Sequence, residues 1–138
     1  MPLMTWNDDI FSVKINVLDT HHKRLFDLIN TLYDAMKEKK ARDVLGNIFS
    51  ELIDYTVYHF KAEEELFQKH GYSEYQQHKK EHEDLTKTAL DLKHKFDTDA
   101  MKIVLTMETM EFLKNWLNNH ICGTDKRYTK YLNSKGVA

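Results

Sequence analysis

An all-α fold, an antiparallel up-down-up-down four-helix bundle, is predicted for this 138-residue chain by three observations. Only 4 glycines and 1 proline are present, so tight turns are few. Four stretches repeat apolar residues at steps of three and four, as a helix with one buried face requires. The connections between them are short, which makes consecutive helices antiparallel neighbours. The length suits one domain, 1–138, with a core that needs no disulfide. Within it we expect an arm over 1–18, the bundle over 19–122 and a tail over 123–138.

The arm, Trp6 to Leu18, alternates Phe11, Val13, Ile15 and Val17, and is read as an extended piece laid over the bundle, because a lone strand has no partner. The first helix, about Asp19 to Lys39, carries Leu25, Phe26, Ile29, Leu32, Tyr33 and Met36 on one stripe. Lys37 to Ala41 is a basic helix end and turn, with cations placed well for the helix dipole. The second helix, about Arg42 to Lys69, has the stripe Leu45, Ile48, Phe49, Leu52, Tyr55, His59, Glu63 and Leu66, and Gly71 is its expected C-terminal cap. Ser73 is the expected N-cap of the third, about Glu74 to Phe96. Its stripe is Tyr75, His78, His82, Leu85, Ala89, Leu92 and Phe96. A turn over Asp97-Thr98-Asp99 leads to the fourth helix, about Ala100 to Cys122, striped by Ile103, Met107, Met110, Leu113, Leu117 and His120. Asp125 to Leu132 reads as a last short helical piece.

Composition excludes several function classes. A formal net charge of −2 offers no electrostatic case for nucleic acid or anionic lipid. No apolar run is long enough for a membrane span, and the N-terminus lacks a secretory pattern. A single cysteine, Cys122, precludes an internal disulfide and fits a reducing cytoplasm. It reads as a small buried hydrophobe rather than a reactive thiol.

The inward stripes carry an unusual polar set. Five histidines and two acids fall on four segments: His22; His59 with Glu63; His78 with His82; His120 with Asp125. Steps of four place His59 with Glu63, and His78 with His82, on one helix face a turn apart. Buried polar groups are costly unless paired or bound to metal, so convergence in a bundle core points to metal. The spacings suit two ions, and imidazole with carboxylate suits iron, zinc or manganese. His120 and Asp125 are five apart, which one regular turn does not accommodate. We expect the helix to bend or unwind near Gly123 so that Asp125 swings inward. His70 reads as a helix-end cation and His94 as solvated. His21, beside His22, could compete for metal or act as a base behind the ligands. Tyr55 and Tyr75 are candidate hydrogen-bond donors to groups behind the ligands.

At these residues the chain resembles the hemerythrin family, more closely its single-domain bacterial members. The matching pieces are Asp19-Thr20-His21-His22-Lys23-Arg24-Leu25-Phe26, His59-Phe60-Lys61-Ala62-Glu63-Glu64, His78-Lys79-Lys80-Glu81-His82, and Trp116-Leu117-Asn118-Asn119-His120-Ile121 with Asp125-Lys126. Trp6 fits the family arm, and the likeness runs from Trp6 to Leu132. It implies two non-haem iron ions. One takes His78, His82 and His120. The other takes His22 and His59 and keeps an open position. Glu63, Asp125 and an oxo or hydroxo group bridge them. Dioxygen is the implied ligand at the open position, in a pocket lined by Trp116, Leu117 and Ile121. The chain departs from the pattern at His21, where many bacterial relatives have Gln. Asp19 and the following Lys23 select His22 as the ligand.

The implied role is reversible dioxygen binding, for storage, transport or delivery to an oxygen-consuming enzyme, by a cytoplasmic protein without enzymatic activity, favoured as a monomer. The alternatives are an oxygen or redox sensor acting through a separate partner, and a di-iron oxidase or peroxidase. Di-iron oxidases of the ferritin type use more carboxylate, and this histidine-rich set favours binding. Two ions per chain give too little capacity for iron storage.

Overall fold

A computed structural model describes residues 3–40, 42–98 and 107–138. Six α-helices occur among them: α1 (Asp8–Phe11), α2 (Asn16–Lys37), α3 (Arg42–His70), α4 (Tyr75–Thr98), α5 (Met107–Asn119) and α6 (Thr129–Ser134). Helices α2 to α5 are the four of the expected bundle: α2 packs along α3, α3 along α4, and α2 also against α5. The fold is all-α. No strand, and no helix long and apolar enough to cross a membrane, occurs among the described residues.

The arm differs from its expected extended form. Asn7 accepts a hydrogen bond from the Asp9 amide and starts the single helical turn α1. Helix α2 then begins at Asn16, earlier than Asp19, so Val17 lies on helix and is exposed while Val13 and Ile15 are fully buried. The alternation at 11–17 therefore mixes a helical turn, a short extended link and a helix start. Asp19 holds the junction, accepting from the Val13 amide at 2.8 Å and the Ser12 hydroxyl at 2.6 Å. Trp6 and Phe11 each pack edge to face with Phe26, and Asn30 of α2 exchanges two hydrogen bonds with Met4. These contacts lay the arm along the middle of α2.

Helix ends follow local chemistry. Lys39 adopts φ 56° where α2 stops, and the Lys40 amide returns to the Ala35 carbonyl. Gly71, φ 65°, ends α3 as expected, with the Tyr72 amide on the Phe67 carbonyl. Ser73 is not the cap of α4. The helix starts at Tyr75, and the Glu74 carbonyl accepts its first bond, from the His78 amide. Asp97 and Thr98 continue α4 rather than forming a turn. Asp99, Ile103 and the expected start of the fourth helix at Ala100 lie outside the described residues.

The core is the sum of the inward stripes. Leu25, Ile29, Leu32, Phe49, Leu52, Phe67, Met110, Leu113 and Leu117 are all buried. Each fully buried aliphatic or aromatic side chain contributes roughly 1.5–3 kcal/mol. Tyr33, Met36, Ile48, Tyr55, Leu66, Tyr75 and Leu92 are only partly buried and line its edge. The histidines and acids interrupt the apolar stripes, with Leu32, Leu52 and Leu113 to one side and Leu18, Phe67 and Tyr128 to the other.

Candidate metal centre

All seven expected ligands are buried: His22, His59, Glu63 and Asp125 at 0 % exposure, His82 at 2 %, His120 at 3 % and His78 at 4 %. They converge in two overlapping groups. One is Glu63, His78, His82, His120 and Asp125; the other is His22, His59, Glu63 and Asp125. Within each, the ligand atoms lie within 4.8 Å of one another. Glu63 and Asp125 belong to both.

The His120–Asp125 step is resolved by a π-type turn. Residues His120–Thr124 wind with wider spacing, and the Asp125 amide reaches the His120 carbonyl five residues back. This brings His120 Nε2 within 2.9 Å of Asp125 Oδ1. The unwinding near Gly123 is as expected, but its cause is different. Gly123 is not in the left-handed region, and a Cβ there would meet nothing within 4 Å. The wider hydrogen-bond ring, not glycine freedom, turns Asp125 inward.

Separations between donor atoms test the fit to metal. His22 Nε2 lies 3.1 Å from Asp125 Oδ2, His78 Nε2 3.1 Å from Asp125 Oδ1, and His82 Nε2 3.1 Å from Glu63 Oε1. Adjacent ligands about 2.1 Å from one ion and about 90° apart would stand ~3.0 Å from each other. Glu63 Oε1, both Asp125 oxygens, and Nε2 of His78, His82 and His120 have no hydrogen-bond partner although buried. So many orphaned acceptors around one point are costly without a cation to satisfy them. The donor set therefore fits bound metal.

The electrostatics agree. Burial pushes the Glu63 carboxyl up, but the nearby imidazoles of His59, His120, His78 and His82 outweigh it and hold the group well below the usual range. Burial and Glu63 likewise push Asp125 up, and His120 and His22 overcome them. Burial lowers His78, but the nearby Asp125 and Glu63 carboxylates overcome it and raise the ring to about 9, and His120 is raised well above its ordinary value by Asp125, Glu63 and Glu81. Burial lowers His59 to about 3. Two permanent carboxylates thus sit among imidazoles, and a metal can take the place of their protons.

Behind the ligands stand groups that local spacing did not reveal. Glu64 Oε2 is 3.0 Å from His82 Nδ1, and Glu81 Oε1 is 3.1 Å from His120 Nδ1. The Tyr128 hydroxyl donates to Glu63 Oε2 at 2.6 Å, and both residues are fully buried. Among the described residues this is the tyrosine that reaches a ligand carboxylate. Tyr75 instead accepts from Gln68, and the Tyr55 ring stands nearly perpendicular to that of His21, 6.0 Å between centroids. Tyr128 follows Asp125 by three on a 3-10 turn, where residues three apart eclipse, and that spacing was the available signal. His21 is 8 % exposed, with Nδ1 3.0 Å from His59 Nδ1. Cys122 is half-buried rather than buried, its thiol raised by desolvation.

Leu117 and Ile121 are buried in the core, while Trp116 is partly exposed with its indole nitrogen buried and unpartnered. Phe60 stacks flat on His82 at 3.8 Å and meets Trp116 at 6.4 Å. A groove of about 580 Å³ between α4 and α5 is lined by Glu81, Trp116 and His120, and one of about 510 Å³ between α3 and α4 by Phe60, Glu64 and His82. Neither is lined by His22 or His59.

A family model described as the hemerythrin HHE cation binding domain matches residues 13–132. The chain belongs to the hemerythrin family. It is 38 % identical to a bacteriohemerythrin of Methylococcus capsulatus, over 93 % of this chain and 95 % of that protein. It is 39 % identical to a hemerythrin-like protein of Naegleria gruberi, over 88 % and 87 %. A crystal structure of wild-type hemerythrin superposes with a TM-score of 0.86 at 38 % identity, covering 94 % of this chain and 98 % of that one. A leucine-to-alanine variant of hemerythrin superposes with a TM-score of 0.88. The matched span begins at Val13, inside the arm, and ends at Leu132, in α6.

Proposed function

We propose that this hemerythrin-family chain binds dioxygen reversibly at a two-iron centre, as a cytoplasmic oxygen store, carrier or donor to an oxygen-consuming enzyme. The observation that carries the reading is the overlap of two ligand groups on Glu63 and Asp125, which would suit two ions bridged by two carboxylates. His78, His82 and His120 would hold one iron, and His22 and His59 the other, with one position left open on the second. Bound there, two ferrous ions would supply the two electrons that dioxygen requires.

The chain's own residues shape the surroundings of that open position. His22 and His59 are wholly buried, which keeps bulk water from that side. Leu117 and Ile121, both buried, with Trp116 beyond them, would form the apolar wall of the ligand pocket. Burial raises the Tyr128 hydroxyl well above its ordinary value, with Glu63 and Asp125 adding to it, so it stays a donor to Glu63. Five histidines to two carboxylates favour binding over oxidation when compared with carboxylate-rich di-iron oxidases.

The test is optical. Iron-loaded protein is reduced without air, exposed to dioxygen, then flushed with inert gas. A visible band that appears with oxygen and fades on flushing is the expected outcome. Continuous oxygen uptake with a reductant, without such a band, would show an oxidase instead.

A further inference from the structure

The two metal positions differ in what stands behind their histidines. On the three-histidine side, His82 and His120 are each backed at Nδ1 by a carboxylate, Glu64 and Glu81. On the two-histidine side, His59 is backed at Nδ1 by another imidazole, His21, at 3.0 Å. The remaining ligand there, His22, has a buried Nδ1 with no partner.

This geometry dictates the tautomers. His59 Nε2 points into the cluster, 2.9 Å from His22 Nε2 and 3.5 Å from Glu63 Oε1, and must offer a lone pair to a metal. Its proton is then on Nδ1, and the only group facing that atom at hydrogen-bond distance among the described residues is His21 Nδ1, which accepts. His21 is fixed for this by the rings of Tyr58 at 5.3 Å and Tyr55 at 6.0 Å. A carboxylate behind an imidazole makes it a stronger metal donor, and a neutral ring does so less.

We propose that His21 is a positioning residue that locks the His59 tautomer, and that its use in place of a carboxylate makes the His22/His59 position the weaker of the two metal sites. This rests on the two-metal reading of the centre. It implies that the position assigned to the ligand is also the one that first gives up its metal.

The test uses zinc, which has no redox chemistry. The intact chain is loaded to two zinc ions and titrated with a chelator. Stepwise dissociation constants are measured, and anomalous scattering from partly stripped crystals reads which position empties. The His22/His59 position should empty first. His21→Leu should still load two ions at saturating zinc but weaken that position ~10- to 100-fold and leave the other unchanged. His21→Gln, which keeps an acceptor, should restore it, and His21→Glu should bind tighter than His21→Gln there. If His21→Leu does not fold, judged by its helical circular dichroism, the Gln and Glu variants carry the comparison. Unchanged constants in His21→Leu, equal loss at both positions, or no difference between Gln and Glu would overturn the proposal alone. Wild-type protein that holds no zinc would overturn the two-metal reading together with it.

Discussion

The Tyr128 hydroxyl, 65 residues away in sequence, donates at 2.6 Å to the Glu63 carboxylate that belongs to both ligand groups. The other Glu63 oxygen, Oε1, has no hydrogen-bond partner and faces the histidines. One oxygen is thus held by the fold while the other is left for metal. Tyr128→Phe keeps the ring and removes the donor, which leaves Glu63 Oε2 buried and unpaired. A loss of about 1–3 kcal/mol is expected by denaturant unfolding, with faster release of metal to a chelator. A variant as stable and as retentive as wild type would show that this bond does not organise Glu63.

Because the two ligand groups share their acids but not their histidines, substitutions should separate by stoichiometry. His22→Ala touches one group and should reduce bound metal from about two ions per chain to about one. Asp125→Ala touches both groups and should release both. Elemental analysis after gel filtration checks the pair, and two ions retained by His22→Ala would overturn its assignment.

The histidine shifts set a pH dependence with a definite sign. His78 is raised to about 9 from an ordinary 6.5, so without metal the folded chain keeps a proton that the unfolded chain has released. That stabilisation is complete below about pH 6.5 and is lost as the pH rises through about 9. His120 is displaced the same way. Metal needs both rings deprotonated, so the rise in Tm on adding zinc should grow from about pH 6.5 to about pH 9. His59 acts oppositely in the metal-free chain. Held at about 3, it stays neutral while the unfolded chain takes up a proton, so its contribution falls as pH drops from about 6.5 to about 3. A zinc-induced Tm rise that shrinks with increasing pH would contradict this account.

Gly123 offers a test of how the π-type turn is made. Its backbone is not left-handed and open space surrounds the absent Cβ. Gly123→Ala should therefore fold normally and gain about 0.4–1 kcal/mol, since it lowers only the entropy of the unfolded chain. Lost stability or lost metal would mean that the turn needs glycine after all.

The helices and the seven inward groups were legible because periodicity is local. Steps of three and four at His59, Glu63, His78 and His82 project onto one face whatever the rest of the chain does. The gap of five from His120 to Asp125 already signalled an irregular turn. The arm was misread because alternation over 11–17 does not tell a strand from a helical turn joined to a helix start. The Ser73 cap was misread because local sequence places a helix start only to within a residue or two, and here the first bond goes to the Glu74 carbonyl.

The sequence by itself determined which residues could face inward and how many donors they would bring, since both depend on residue type and helical spacing. Tertiary structure alone decided who stands behind each donor. Glu64 meets His82 across α3 and α4, Glu81 meets His120 across α4 and the π-type turn, and His21 meets His59 across α2 and α3. Such pairs depend on the relative rotation and rise of packed helices, a matter of side-chain interdigitation over the whole core that no local repeat encodes.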